Sequence, residues 1–248
     1  MIVDCISDLH GHYPHLEGGD LLVIAGDLTS NDSIPAWKTF YDWLLPLKYK
    51  RKLYIGGNHD NFLTKALSSS VADDLGLDRG DPSMEYLCDS GTEFEYFWSD
   101  ENNIRCGKNF KIWGSPWTKS FKGQNPHCMA FTVDDEQELK EKFELIPEDT
   151  DILITHSPPN GILDQVTDRD LFCPSFQVPL RKKRVGSTAL CHLLYKKKLK
   201  PKLHVFGHIH EGYGHIPKML DMPGVQFVNA SYLNEIYEPV NKPIRIIL

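Results

Sequence analysis

The chain has no long hydrophobic run. Its longest apolar stretches, such as Leu21-Leu22-Val23-Ile24-Ala25, have about five residues, whereas a membrane-crossing helix needs about 20. Cysteine is scarce and scattered: Cys5, Cys88, Cys106, Cys128, Cys173 and Cys191 form no CxxC pair and no dense array. That spacing excludes a disulfide-stapled scaffold and implies reduced thiols, most of them packing residues. Basic charge is in deficit, with 27 Lys+Arg against 34 Asp+Glu and a net charge of −7. A nucleic-acid coat would be basic, so no stable nucleic-acid partner is expected. A small anionic substrate remains open, because a bound cation inverts the local field. The N-terminus lacks a basic stretch followed by an apolar one, so no signal peptide is expected and the location read from the sequence is cytoplasmic. Repeat, collagen and coiled-coil periods are absent.

What remains is an ordinary globular composition, 41% hydrophobic and 25% charged over 248 residues. A chain of this size buries about three-quarters of its unfolded surface. No linker interrupts it, and residues 1–248 read as one domain. One pattern recurs along it: a short, partly β-branched apolar run ends and polar side chains follow. Ile2 to Ile6 leads to Ser7-Asp8-Leu9-His10, and Leu21 to Ala25 leads to Gly26-Asp27. Leu53 to Ile55 leads to Gly56-Gly57-Asn58-His59-Asp60, Ile152 to Ile154 to Thr155-His156, and His204 to Phe206 to Gly207-His208-Ile209-His210. Such runs read as buried strands.

Helices fit between them. Ser33 with Pro35 starts one, and Trp37, Phe40, Tyr41 and Leu44 give it one apolar face. A second covers about 134–145 with Leu139 and Phe143 inward. A third runs from a Ser187 cap through Leu190, Leu193 and Leu194 to Lys196, Lys197 and Lys198, charges that suit a helix C-terminus. Alternating strands and helices imply an α/β fold, whose ligands gather beyond the carboxyl ends of strands. All five polar clusters sit there, which predicts one shared site. Residues 68–109 are less periodic and read as a surface excursion with one or two strands, near 85–88 and 92–97.

Asp8, His10, Asp27, Asn58, His156, His208 and His210 combine carboxylate, amide and imidazole donors. That mixture suits manganese, iron, zinc or nickel better than calcium or magnesium alone, and with no cysteine among them it is not a structural zinc site. Asp8 and His10, like His208 and His210, are two apart and on one face of an extended backbone. Seven donors exceed one tetrahedral ion but fit two divalent ions if a carboxylate bridges, with Asp27 the natural candidate. Two such ions clamp a phosphoryl group and ready a water for attack. His59 is outside that count and is free to protonate the leaving alkoxide, so His59 and Asp27 are the expected catalytic residues.

In order and spacing, Asp8-Leu9-His10, Gly26-Asp27, Gly57-Asn58-His59-Asp60, His156 and Gly207-His208-Ile209-His210 resemble the calcineurin-like metallophosphoesterases. The resemblance implies a four-layer αββα sandwich of two mixed β-sheets flanked by helices. It also implies a first ion on Asp8, His10, Asp27 and His210, a second on Asp27, Asn58, His156 and His208, and His59 as the catalytic histidine. Phe40 to Leu44, Trp113 to Trp117, Thr155 to Pro159 and Lys200 to Gly214 are similar to the metallophosphoesterase-domain proteins related to class III cyclic-nucleotide phosphodiesterases. Animal members can lack the penultimate histidine of the last motif; here His208 and His210 are both present, so metal binding, with manganese placed first, is expected.

The phosphatase branch would need an arginine after Gly26-Asp27, but Leu28-Thr29-Ser30-Asn31-Asp32 stands there. Lacking that bidentate clamp for a dianion, the chain leans toward a small phosphodiester, with cyclic nucleotides among the candidates. The rival readings are a phosphomonoesterase or nuclease with the same ions, and a non-catalytic interaction module on the same scaffold. Weaker candidates are the basic run Arg181 to Arg184, which could recruit a polyanionic substrate or act as a targeting signal but reads better as a solvated face, and His12 and His15, which could line a substrate entrance but read better as surface residues. Trp117, Phe121 and His127 read as aromatic packing, and Asp60 as the cap of a helix starting at Asn61.

Overall fold

A computed structural model describes residues 1–66, 81–121, 123–167, 182–196 and 199–248. The expectations for 68–80, Cys173, Arg181, Lys197 and Lys198 fall outside them. The strands are β1 Ile2–Ile6, β2 Gly19–Ala25, β3 Tyr49–Ile55, β4 Met84–Tyr86, β5 Ser90–Ser99, β6 Arg105–Ser115, β7 Thr118–Lys119 and β8 Thr132–Val133. They continue with β9 Ile152–Thr155, β10 Gln165–Thr167, β11 Lys182–Arg184, β12 Leu203–Phe206, β13 Gly214–Ile216, β14 Gln226–Asn229 and β15 Ile244–Ile247. The helices are α1 Ile34–Leu44, α2 Asn61–Ala66, α3 Glu136–Phe143 and α4 Thr188–Tyr195.

Two mixed sheets dominate. The first has the order β15-β1-β2-β3-β4, parallel except where β15 joins β1. The second has the order β13-β14-β12-β9-β6-β5, parallel in the middle with an antiparallel strand at each edge. Register and strand period together produce the layers. Cys5, Val23 and Leu53 stand side by side across the first sheet and, with Ile112, Ile152 and Leu203 of the second, fill the space between the sheets. One residue on, Ile6, Ile24 and Tyr54 face outward and pack with Trp37, Phe40 and Tyr41 of α1. In the second sheet the outward row includes Leu153 and Phe227, covered by Leu139 and Phe143 of α3 and Leu190 and Leu194 of α4. Because both faces of each sheet are covered, the central strands carry near-continuous apolar runs rather than strict alternation, with Asp4, Lys52 and His204 as buried polar exceptions. The result is the expected αββα arrangement.

Helix starts follow the sequence. Ser33 Oγ accepts from Ala36 N, Asp135 Oδ1 from Gln137 N and Glu138 N, and Ser187 Oγ from Leu190 N, each satisfying amides the helix leaves unpaired. Two expectations need correction. The described part of the 68–109 segment is not a surface excursion: β4 extends the first sheet, and β5 with β6 is a long hairpin at the edge of the second. Leu87 and Phe94, with Phe110 of β6, lie between the sheets. No continuous apolar run marks β5, because this edge strand alternates between more and less exposed positions and buries only Phe94. Nor does Asp60 cap α2. Its carboxylate accepts from Leu28 N and Gly57 N and ties the loop after β2 to the loop after β3; Asp32 accepts from Phe62 N in its place.

Leu21 is fully buried between the sheets, while Ile247 on the same sheet is 77% exposed. In urea unfolding, Leu21→Ala is expected to cost about 2–5 kcal/mol and Ile247→Ala less than about 0.5 kcal/mol. Equal effects would mean that the space between the sheets is not the core.

Candidate metal centre

The two sheets are joined at the carboxyl ends of their central strands. Ser7 N donates to Ala230 O at 2.8 Å, Tyr232 N to Ser7 O at 2.8 Å, and His156 Nδ1 bonds Ala25 O at 2.9 Å. The turns after β1, β2, β3, β9 and β12 therefore meet at one place, and the seven sequence-predicted donors and His59 are all brought there.

Two buried carboxylates form its centre. Asp8 and Asp27 are 0% and 2% exposed. Asp27 Oδ2 lies 3.5 Å from His10 Nε2, 3.5 Å from His156 Nε2 and 4.0 Å from His59 Nε2, and Asp8 Oδ1 lies 3.5 Å from His210 Nε2. Asn58 Oδ1 is 3.1 Å from His156 Nε2. Three overlapping groups have donor atoms close enough to hold an ion: Asp8, His10 and His210; His10, Asp27 and His59; and Asp27, His156 and His208. Asp27 belongs to two of them. So does His10, which makes His59 a neighbour of the donor set rather than a distant acid.

Electrostatics follow from this crowding. Burial works against charge on Asp8 and on Asp27, but His210 overrides it at Asp8 and His156 and His59 override it at Asp27; both carboxyls are held well below the usual range. Burial also opposes charge on His156 and His210, yet Asp27 raises the first to about 9 and Asp8 the second to about 9. Burial dominates at His10 and His208, which are pushed down to about 4 and about 3. Burial, then the charge of Asp27, pushes the Asp60 carboxyl well above the carboxylate range.

A divalent cation fits this cage. His156 and His210 each engage a backbone carbonyl through Nδ1, Ala25 O and Asn234 O, which turns Nε2 toward the carboxylates. That is the orientation in which imidazole ligates. His10 Nε2 is buried with no hydrogen-bond partner, an orphan that a cation would satisfy. The backbone is strained at the same spot: Asp8, His10, Asp27 and His208 have φ of 52°, 40°, 54° and 66°. Left-handed non-glycine residues cost about 1–3 kcal/mol each and gather at functional sites. A Cβ on Gly207 would overlap Ser7 Oγ and Asp8 Oδ2, so only glycine lets His208 approach Asp8, to which its N–H donates at 3.0 Å.

Four contributors were not read from the sequence. Ser231 Oγ donates to Asp8 Oδ2 at 2.7 Å, and Asn234 O fixes His210. The Tyr237 ring stands 4.9 Å from that of His10 and 5.1 Å from that of His210. Cys128 Sγ is 3.3 Å from His59 Nδ1. Each is a lone residue in a loop with no spacing motif, although Ser231 and Asn234 do follow a recognisable apolar run. His12 and His15 are exposed, as expected. Trp117 packs on Phe131 and donates to Asp89 Oδ2. Phe121 is 58% exposed and therefore not packing, and His127 is exposed with its carbonyl accepting from Asn61.

Residues 1–212 match the sequence model of the family described as Calcineurin-like phosphoesterase. The chain is similar to metallophosphoesterase domain-containing protein 1 of Homo sapiens and of Mus musculus, 35% identical over 250 residues in each case, spanning 98% of this chain and 69% of the relative. It is also similar to a UPF0046 protein of Caenorhabditis elegans, 30% identical over 261 residues, spanning 97% of this chain and 58% of the relative.

Outer partners of ligating groups typically govern metal affinity by 10–100-fold. Ser231→Ala is accordingly expected to weaken manganese binding by roughly that factor in chelator competition, while Ser33→Ala, a remote helix cap, leaves it intact. Equal affinity in Ser231→Ala and the unaltered chain would show that Asp8 is not a ligand.

Proposed function

The chain belongs to the calcineurin-like phosphoesterase family, and on that premise we propose that it is a two-metal phosphodiesterase acting on a small soluble phosphodiester. The observation that carries this reading is Asp27, whose one carboxylate oxygen is faced by three imidazoles from three different turns. In this reading Asp8, His10, Asp27 and His210 hold one divalent ion, and Asp27, Asn58, His156 and His208 the other. When bound, such a pair supplies an activated water and neutralises charge on the phosphoryl oxygens.

The protein's own residues do the rest. Asp27 Oδ1 accepts the N–H of His59 at 2.9 Å, which fixes the backbone of the acid beside the bridging carboxylate. Cys128 at Nδ1 holds the ring, and Nε2 faces the centre, where it donates a proton to the leaving alkoxide. Side-chain exposure of 23% leaves His59 open to substrate. The Tyr237 ring stands beside His10 and His210 at the edge of the site.

The turn after Asp27 offers no guanidinium, which supports a singly charged diester over a dianionic monoester. The imidazole-rich donor set supports manganese, with iron, zinc and nickel as its competitors. Among the described residues no helix is long and apolar enough to cross a membrane, and Cys5, Cys88, Cys106, Cys128 and Cys191 are free thiols, which supports the reducing cytoplasm as its location.

A panel with added manganese tests the reaction. Bis-p-nitrophenyl phosphate is expected to be cleaved faster than p-nitrophenyl phosphate; the reverse order would make the chain a monoesterase, and cyclic nucleotides narrow the diester class. His59→Ala is expected to lower kcat by about 10²–10⁴-fold with bound metal unchanged. Loss of metal in that variant would turn His59 from acid into ligand.

A further inference from the structure

A substrate whose phosphoryl group sits at the Asp27 centre must place its remaining atoms somewhere, and among the described residues a cleft reaches that centre at His208. It has a volume of about 710 Å³ and is floored by Ser157, His208 and Ile209. Residues of β7, β10, β11 and the start of α4 also line it. Small-molecule sites occupy roughly 300–1,000 Å³, so a nucleotide-sized group fits.

The charge of this cleft is opposite to that of the chain. Lys119, Lys183 and Arg184 line it, against a single carboxylate, Glu136. Glu136 is already committed: its Oε2 accepts from Ser187 Oγ, Thr188 Oγ1 and Ala189 N at 3.0–3.1 Å, so its charge is spent on the N-terminus of α4. Neither Lys119 nor Lys183 has an ion-pair partner among the described residues, whereas Arg184 is paired with the buried Asp164 at 3.5 Å. A merely solvated basic strand would not converge with Lys119, some 60 residues away in sequence, on a concave surface that ends at His208. Ammonium groups are point charges suited to phosphate, and a cleft with one sign of charge concentrates the opposite ion.

We propose that this cleft seats the part of the substrate beyond the scissile diester, and that this part carries a second phosphate group held by Lys119 and Lys183. The inference deepens the phosphodiesterase reading and rests on it for the reaction. A cyclic mononucleotide, with its single charge inside the ring, would leave both lysines unused. The favoured substrate is therefore a phosphorylated nucleotide-like diester.

Two chromogenic esters test this with the manganese-loaded protein: thymidine 5′-(4-nitrophenyl phosphate) and its 3′-phosphorylated counterpart. The 3′-phosphorylated ester is expected to have a kcat/KM about tenfold or more higher, the size of one charge-assisted hydrogen bond, expressed mainly in KM. That preference is expected to shrink with added salt and to fall to within about twofold in Lys119→Gln/Lys183→Gln, where the charge-assisted bonds are gone. Equal kcat/KM values in the unaltered protein, or a preference that survives in the double variant, would overturn the proposal. If neither ester is cleaved, the hydrolase reading fails and calorimetry still decides on the cleft. Thymidine 3′,5′-bisphosphate is then expected to bind about tenfold tighter than thymidine 5′-monophosphate, a gap that closes in the double variant; equal affinities for the unaltered protein would refute it.

Discussion

Asp8 and Asp27 are carboxylates with almost no contact with water, and burying charge is tolerated only where opposite charge and hydrogen bonds compensate. The rest of the structure is arranged around that demand. Asp8 receives Ser231 Oγ, the amide of His208 and the ring of His210. Asp27 receives the amide of His59 and a ring of imidazoles. The third carboxyl nearby, Asp60, cannot share that compensation, and burial with the charge of Asp27 pushes it toward its neutral form. It serves as a fastening between two turns instead. The left-handed backbone at Asp8, His10, Asp27 and His208 is the conformational cost of aiming four side chains from strand ends at one point.

The sheets supply what makes that cost bearable. The strands that deliver donors are largely apolar on both faces and packed between helices and the opposite sheet. Cross-sheet bonds at Ser7 and His156 then join the two sheets at the edge where the donors emerge. The donors are thus placed by packed strands at the joined edges of the two sheets, the arrangement that electrostatic preorganisation calls for.

Much of this was legible in the sequence. The five apolar runs became strands because full burial on both faces writes itself as a continuous hydrophobic segment. The donors were legible because each follows such a run directly. Helices starting at Ser33 and Ser187 were legible from their caps. Other features were not. A strand near 92–97 was expected and is β5, but its pairing with β6 in a long edge hairpin was not legible, because an edge strand with one buried position carries no continuous apolar run. Asp60 looked like a helix cap because sequence shows that an acid precedes a helix, not that its carboxylate turns back to Leu28 and Gly57. Cys128 and Tyr237 reach the site through loops whose paths only tertiary packing sets. Lys119 gave no signal at all, and Lys183 read as solvated until the topology placed the two on one cleft.

The central claim is that two cations share the Asp27 carboxylate, and anomalous diffraction from crystals grown with manganese tests it most directly. The account requires two anomalous peaks about 3.5–4 Å apart, both within coordination distance of Asp27, with one also touching Asp8 and His210 and the other His156 and His208. A single peak, or two that do not both contact Asp27, would contradict it.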